Sequence, residues 1–84
     1  MYTINYHVTE KRGSQVFENE YINAEFRLRK DALNYLLGIV RKDYEECGYT
    51  TRTRVGGIHC FKNTITENGE IEIEDVLIRI EKAK

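Results

Sequence analysis

Several residue types are scarce in this 84-residue sequence, and each shortage excludes a class of protein. There is no proline, and glycine and serine are sparse, so no segment is typical of a linker or a low-complexity tract. The two cysteines, Cys47 and Cys60, are too few for a disulfide framework and too far apart for a CxxC redox or zinc pair. Apolar runs are short throughout, so we expect no membrane-spanning segment.

The length and charge of the chain restrict its organisation. With 84 residues, the sequence is predicted to form one domain, residues 1–84, around one small core. The charged fraction is 32% and the formal net charge is −1, so the chain is neither disordered nor a general nucleic-acid coat. Residues 1–5 have neither a basic start nor an apolar stretch, and we therefore expect no signal peptide and a cytoplasmic location.

The N-terminal part of the chain alternates between apolar and polar residues, as half-buried strands do. Apolar residues at every second position predict the first strand: Tyr2, Ile4, Tyr6 and Val8. A charged loop with Gly13 separates it from a second extended stretch at about residues 15–22. In that stretch Phe17 and Ile22 fall on opposite faces, and a β-bulge is one explanation for this change of phase.

The period then changes to that of an amphipathic helix, predicted at about residues 30–47. One stripe of apolar side chains follows the helical spacing: Leu33, Leu36, Leu37, Val40, Tyr44 and Cys47. Asp31 lies in the first turn, where the helix dipole favours an anion. Gly38 in mid-helix is interpreted as a mark of close approach to the sheet. Gly48 is interpreted as the glycine that ends the helix, with Tyr49 lying over Tyr44.

Three further extended segments follow the helix, at about residues 50–55, 58–65 and 71–80. Asn68-Gly69 is a strong hairpin signal between the last two segments. The predicted order is therefore β-β-α-β-β-β. It describes a single two-layer α+β domain, in which one amphipathic helix packs on an antiparallel sheet.

The final segment changes its apolar phase part of the way along. Its glutamates at 70, 72 and 74 alternate with Ile71 and Ile73, so we expect the glutamates to form a solvent face. After Asp75 the apolar residues move to the even positions 76–80. We interpret this change as a bulge at Glu74–Asp75 that turns the strand over.

No group of residues has the spacing of a known catalytic or metal-binding motif. Ser14 is the only serine and lies in a turn, so a serine triad is not expected. His59 and Cys60 are adjacent and would point to opposite faces of a strand. A zinc site built from His7, His59, Cys47 and Cys60 would match no finger, knuckle or ribbon spacing. We therefore expect no enzyme activity, no cofactor and no metal.

Charge and tyrosine content indicate an interaction surface. Residues 1–42 carry seven basic and five acidic residues, whereas residues 43–84 carry six basic and nine acidic residues. Six tyrosines are more than so small a core can bury with every hydroxyl satisfied, and Tyr and Arg often anchor interfaces. The residues predicted to contact a partner are Glu67, Glu70, Glu72, Glu74, Asp75, Arg52, Arg54 and Tyr6.

Two segments give the chain a resemblance to small orphan proteins encoded by Gram-positive phages and mobile elements. They are the helical segment 29–36, RKDALNYL, and the closing strand 73–80, IEDVLIRI. The resemblance lies in size and general character and includes no motif, so no functional residue is carried over. Such proteins often act as stoichiometric inhibitors of host defence, anti-CRISPR proteins among them, and the resemblance implies an inhibitor of that kind.

Two classes of function are compatible with these observations. The leading hypothesis is a small non-enzymatic cytosolic protein that binds and inhibits or modulates a larger protein, such as a nucleic-acid-binding host protein with a basic groove. The alternative is a small RNA or single-stranded DNA binder, although the net charge and the acidic hairpin weigh against it. In this alternative, the bases of the nucleic acid would stack on Tyr2, Tyr6 or Phe61, and its phosphates would contact Arg52 and Arg54. A homodimer is compatible with both, since a bare sheet face or open edge tends to pair with its copy.

Overall fold

The strands and the helix follow one another in the predicted order. The computed structural model describes residues 1–83 of the chain. Within these residues the elements are β1 (Tyr2–Arg12), β2 (Gln15–Phe26), α1 (Arg29–Ile39), a π-helical continuation of α1 (Val40–Glu45), β3 (Thr50–Arg54), β4 (Gly57–Ile65) and β5 (Ile71–Lys82). The two-layer α+β architecture predicted from the sequence is confirmed.

The strands of the described residues form one antiparallel sheet in the order β2-β1-β5-β4-β3. The N-terminal hairpin joins the C-terminal strands where β1 pairs with β5. That ladder runs from Tyr2↔Lys82 to Arg12↔Glu72 without a register shift. β5 is therefore the central strand, and β2 and β3 are the two edges.

The hydrophobic core lies between one face of this sheet and the helix. Its buried apolar side chains are Ile4, Tyr6, Ala32, Leu36, Val40, Cys60, Val76 and Ile78. The buried residues of the helical segment, Ala32, Leu36 and Val40, recur at every fourth position. This line of fully buried residues is narrower than the predicted stripe; Ile39 and Tyr44 beside it are half-buried and also pack against the core. Leu37 lies off that line and is 50% exposed, so its assignment to the core is wrong.

The predicted signals at the two ends of the helix are confirmed. Asp31 is the acidic residue of the first turn. Gly48 has a φ of +89°, a left-handed conformation that few other residues adopt. The backbone N–H of Tyr49 donates to the carbonyl oxygen of Tyr44 over 2.9 Å, and the two rings meet edge to face with centroids 5.1 Å apart.

Gly38 does not mark a close approach to the sheet. It is exposed, and a Cβ built there would meet nothing within 4 Å beyond the neighbouring helix backbone, in the part of the chain that the structure describes. Gly57 at the start of β4 is the tightly packed glycine instead. A Cβ at Gly57 would lie 2.2 Å from the carbonyl oxygen of Ile78 and 2.8 Å from Cγ of Arg79.

The sheet contains a bulge in β2, just beyond residues 15–22, the stretch in which the sequence suggested one; residues 15–22 themselves pair with β1 without a register shift. Ile4 pairs with Ala24 and Asn5 pairs with Ile22, so Asn23 is the extra residue. The bulge predicted at Glu74–Asp75 is wrong. β5 keeps an unbroken register with β1 on one side and β4 on the other, and an extra residue would have to disrupt both ladders.

The unbroken register decides which face each side chain of β5 occupies. Ile71 and Ile73 lie on the same face as Leu77, opposite the helix. Glu72 and Glu74 lie on the helix side of the sheet, where both are half-buried. The expectation that the glutamates form a fully solvated face is therefore wrong for these two residues.

The line of buried helix residues predicts a clear difference between two neighbouring leucines. Leu36 is 2% exposed, so we expect Leu36→Ala to lower the free energy of unfolding by about 2–5 kcal/mol. Leu37→Ala removes the same atoms from a site that is 50% exposed, and we expect a loss below about 1 kcal/mol. Urea unfolding followed by circular dichroism measures both; similar losses would contradict the packing described above.

The two glycines predict effects of opposite sign. Gly38→Ala is expected to raise the free energy of unfolding by up to about 1 kcal/mol, because alanine favours the helix and meets no obstacle there. Gly57→Ala is expected to lower it by about 1–3 kcal/mol, because the new methyl group would overlap backbone atoms of β5. Thermal melts of the two variants provide the test, and a destabilised Gly38→Ala variant would show that α1 approaches another surface at this position.

Candidate interaction surfaces

One face of the sheet carries no helix in the described part of the chain, and we call it the open face. It is formed by the odd-numbered residues of β1, β4 and β5, the even-numbered residues of β3 and, on β2, residues 16, 18, 20, 22 and 25. Leu77, Ile73 and Phe61 are half-buried near its centre. Apolar side chains at the middle of an uncovered sheet face are typical of an interaction surface.

Two histidines flank Leu77 on the open face, and each contacts a carboxylate. Leu77 is the register partner of His7 on β1 and of His59 on β4. Nδ1 of His7 lies 2.9 Å from Oε1 of Glu20, and Nε2 of His59 contacts Oδ1 of Asp75. These contacts orient both imidazole rings. The sequence pattern did not reveal the two pairs, because they depend on the register between strands.

The two edge strands carry opposite charges on the open face. β2 presents Glu18, Glu20 and Glu25 there and no base. β3 presents Arg52 and Arg54 and no acid. Because β2 and β3 lie at opposite ends of the strand order, the open face is acidic along one margin and basic along the other.

The sheet is longer than the helix that covers it. α1 and its continuation have 11 and 6 residues, or about 25 Å of helix, whereas the 12 residues of β5 extend about 40 Å. We call the part beyond the helix the distal end; it comprises the turns at 13–14 and 66–70 with the adjacent Phe17, Ile65, Ile71 and Glu72. The two turns are neighbours, since a Cβ on Gly13 would lie 3.9 Å from Oε2 of Glu70.

Exposed apolar and acidic side chains occur together at the distal end. Phe17 is 52% exposed, Ile65 74% and Ile71 57%. Glu67 and Glu70 in the adjoining turn are also exposed. This end of the protein therefore has exposed apolar area on both faces of the sheet, with acids in the 66–70 turn and the bases Lys11 and Arg12 before the other turn.

The residues predicted to contact a partner are divided among three places. The distal end holds Glu67, Glu70 and Glu72, and the open face holds Asp75, Arg52 and Arg54. Tyr6 and Glu74 lie on the helix side. Tyr6 is only 6% exposed and its ring stacks on Tyr21 with centroids 5.0 Å apart, so it has no surface to offer a partner.

Glu74 contributes to the structure of the protein itself. Its Oε2 accepts a hydrogen bond from the hydroxyl of Tyr49, the residue after the helix-ending glycine. Burial raises the pKa of the Tyr49 hydroxyl above its ordinary value, and the hydrogen bond to Glu74 raises it further. Nζ of Lys62 lies 5.5 Å from the centroid of the same ring. The cluster ties the end of the helix to β4 and β5.

The two cysteines lie in different environments. Cys60 is 0% exposed, and burial raises the pKa of its thiol to about 11, whereas Cys47 is exposed. Cys60 and His59 lie on opposite faces of β4, as strand alternation predicts. Within residues 1–83, no cluster of three or more His, Cys, Asp or Glu side chains could hold a metal ion.

The aromatic residues predicted to stack on nucleic-acid bases do not share a surface. Tyr2 and Tyr6 face the helix side, and Phe61 alone among the three lies on the open face. The guanidinium of Arg52 lies over the Phe61 ring, 5.5 Å from its centroid. Of the three aromatic residues, the open face therefore has one beside the two arginines on which a base could stack. Binding of RNA or single-stranded DNA by stacking needs several such residues in succession.

The chain matches no protein-family model, and no curated protein or solved structure is significantly similar to it. Among residues 1–83, no helix has both the length and the apolar character needed to cross a lipid bilayer. The function of the protein is therefore inferred from its own surfaces.

The contact between Tyr49 and Glu74 predicts that two acids of the same strand differ in their effect on stability. Glu74→Ala is expected to lower the free energy of unfolding by about 1–2 kcal/mol, because the Tyr49 hydroxyl loses a charged acceptor. Glu72→Ala is the matched control, since Glu72 lies on the same face and its side chain makes no hydrogen bond or ion pair with the residues that the structure describes. We expect Glu72→Ala to change stability by less than about 0.5 kcal/mol. Equal losses in urea unfolding would show that the hydrogen bond adds nothing.

Proposed function

We propose that this chain is a small non-enzymatic binding protein that inhibits or modulates a larger protein, and that it contacts this partner through its distal end. The observation that carries the proposal is the exposure of Phe17 on the helix side of the sheet and of Ile65 and Ile71 on the open face, at the same end of the strands. These side chains lie at one end of the protein but on opposite faces of the sheet, so a partner that covers all three would have to enclose this end.

The acids of the distal end indicate the chemistry of the partner. Glu67 and Glu70 add negative charge to the turn beside Ile65 and Ile71 and would steer this turn toward a basic surface. A groove lined by Arg and Lys that normally holds nucleic-acid phosphates is a surface of this kind. By occupying such a groove, the distal end would exclude the nucleic acid, which is how binding becomes inhibition.

The outer edge of β2 extends this surface. β2 has 12 residues and forms an edge of the sheet, so the backbone groups on its outer side are available to a strand of the partner. Phe17 lies near the start of that strand, at the distal end. A partner could therefore combine strand pairing along β2 with apolar contact at Phe17.

A phage-encoded inhibitor of host defence that acts in the cytoplasm fits this description. Stoichiometric inhibitors need a binding surface and no catalytic group. Support for this more specific part of the proposal comes from the resemblance of residues 29–36 and 73–80 to small proteins of phages and mobile elements.

Reversing the charge of the distal turn is the direct test. The double variant Glu67→Lys/Glu70→Lys is expected to weaken capture of the partner at least about tenfold and to leave stability within about 1 kcal/mol of wild type, because both side chains are exposed. The matched control is Asp43→Lys/Glu46→Lys, which makes the same change in net charge on the exposed side of the helical segment. Each protein is immobilised and exposed to a nuclease-treated lysate of a Gram-positive bacterium, and captured proteins are quantified by mass spectrometry.

The proposal requires a protein that wild type and the control capture in near-stoichiometric amount and that the distal variant does not. Its capture should also fall as salt is raised, since exposed charges are screened within about 10 Å at 0.1 M ionic strength. Capture that survives the distal reversal would place the binding surface elsewhere. Recovery of nucleic acid alone from an untreated lysate would support the alternative nucleic-acid-binding hypothesis.

A further inference from the structure

The open face is large enough to form a stable contact with another protein surface. Strands lie about 4.8 Å apart and rise about 3.3 Å per residue, so a sheet of this width and length presents about 800 Å² on one face. A standard stable interface buries about 800 Å² on each partner. Leu77, Ile73 and Phe61 supply the apolar centre that such an interface needs.

The charges on this face indicate what covers it. The acidic margin on β2 and the basic margin on β3 are equally distant from β5, the middle strand of the order β2-β1-β5-β4-β3. Consider a second copy related to the first by a 180° rotation about an axis that is parallel to β5 and lies between the two open faces. In this arrangement β3 of the second copy lies over β2 of the first. The same rotation lays its β2 on β3, so the attraction between acidic and basic margins occurs twice. We infer that the chain forms a homodimer in which two open faces pack together about this two-fold axis.

The cross-strand row through Leu77 shows the complementarity at the level of residues. From β2 to β3, successive register partners in this row are Glu20, His7, Leu77, His59 and Arg52. Rotation about Leu77 places it against the partner's Leu77 and places Glu20 over the partner's Arg52. This row of the dimer then has an apolar contact between the two leucines at its centre and a Glu20–Arg52 ion pair at each margin. Aligned sheets related in this way form the two layers of a β-sandwich.

Other arrangements of two copies are disfavoured by the same charges. An in-plane two-fold axis perpendicular to the strands would lay β2 on β2, so that Glu18, Glu20 and Glu25, on a strand without a base, would meet their own copies. The proposed axis brings Asp75, Arg79 and Glu81 of β5 onto their own copies, but there Asp75 contacts His59, and Arg79 contacts Glu81, within each chain. Pairing of the β2 edge with the β3 edge of another copy would join opposite charges but would not close. It would generate an open polymer.

The dimer leaves the acidic turn and Phe17 of the proposed binding surface accessible, although Ile65 and Ile71 belong to the face that it packs. Because the axis is parallel to the strands, the two distal ends point in the same direction, side by side. Glu67 and Glu70 lie in turns at the ends of the strands, outside the packed faces. The two surfaces share Ile65 and Ile71, but the charged residues changed in the two experiments do not overlap, so the tests of partner binding and of self-association can fail independently.

Sedimentation equilibrium of the wild-type protein and of two charge variants tests the inference. The basic margin is reversed by Arg52→Glu/Arg54→Glu, and the acidic margin by Glu18→Lys/Glu20→Lys; all four side chains are exposed. Wild type is expected to be a dimer at micromolar concentration. Each variant alone would place like charges on both margins, and we expect its dimer to weaken at least about tenfold. Arg41→Glu/Lys42→Glu, an exposed pair on the helical segment, is the control that should remain a dimer.

Mixing the two variants gives the sharpest test. One variant then has two acidic margins and the other two basic margins, so an equimolar mixture should recover a dimer of one chain of each kind. Recovery also shows that both variants are folded, which thermal melts check independently. A wild type that stays monomeric, a dimer unaffected by either reversal, a mixture that does not associate, or masses that grow beyond two chains would each overturn the inference.

Discussion

The ladder between β1 and β5 is the contact on which the rest of the structure depends. It joins residues 2–12 to residues 72–82 and brings Ile4 and Tyr6 beside Ile78. Leu36 and Val40 pack on the strip that these residues form. A two-stranded hairpin is only marginally stable alone, so neither the N-terminal hairpin nor the helix would have a supporting surface without this ladder. The two strands of this ladder are far apart in the sequence. The chain must therefore lose much of its loop-closure entropy before the core forms.

A second constraint is the difference in length between the helix and the strands it covers. The single helix covers part of one face of the sheet. The rest of the sheet must either have side chains that tolerate water or be covered by another molecule. The two uncovered regions differ in chemistry. The open face combines an apolar centre with margins of opposite charge, which suits a copy of itself, whereas the turn of the distal end adds the exposed acids Glu67 and Glu70, which suit a basic partner.

Strand alternation distributes one acidic segment among different roles. Glu67 and Glu70 remain exposed in the turn, Glu74 accepts the Tyr49 hydroxyl on the helix side, and Asp75 orients His59 on the open face. A run of like charges in the sequence is therefore not one surface in the protein. The same principle assembles the acidic and basic margins from strands that are distant in sequence, since β2 and β3 never pair with each other.

The sequence by itself determined the elements and their order, because the signals for them are local. Alternation in residues 2–8, the helical spacing after residue 30, and the turns at Gly48 and Asn68-Gly69 each depend on a few neighbouring residues, and each was interpreted correctly. The roles of Tyr6 and Leu37 and the pairing of His59 with Asp75 were not accessible in this way. Burial depends on which face the helix covers and where it ends, and contacts between strands depend on register. Only the tertiary structure decides these, because they are set by the pairing of β5 with two strands at once, across segments that carry no local signal of one another.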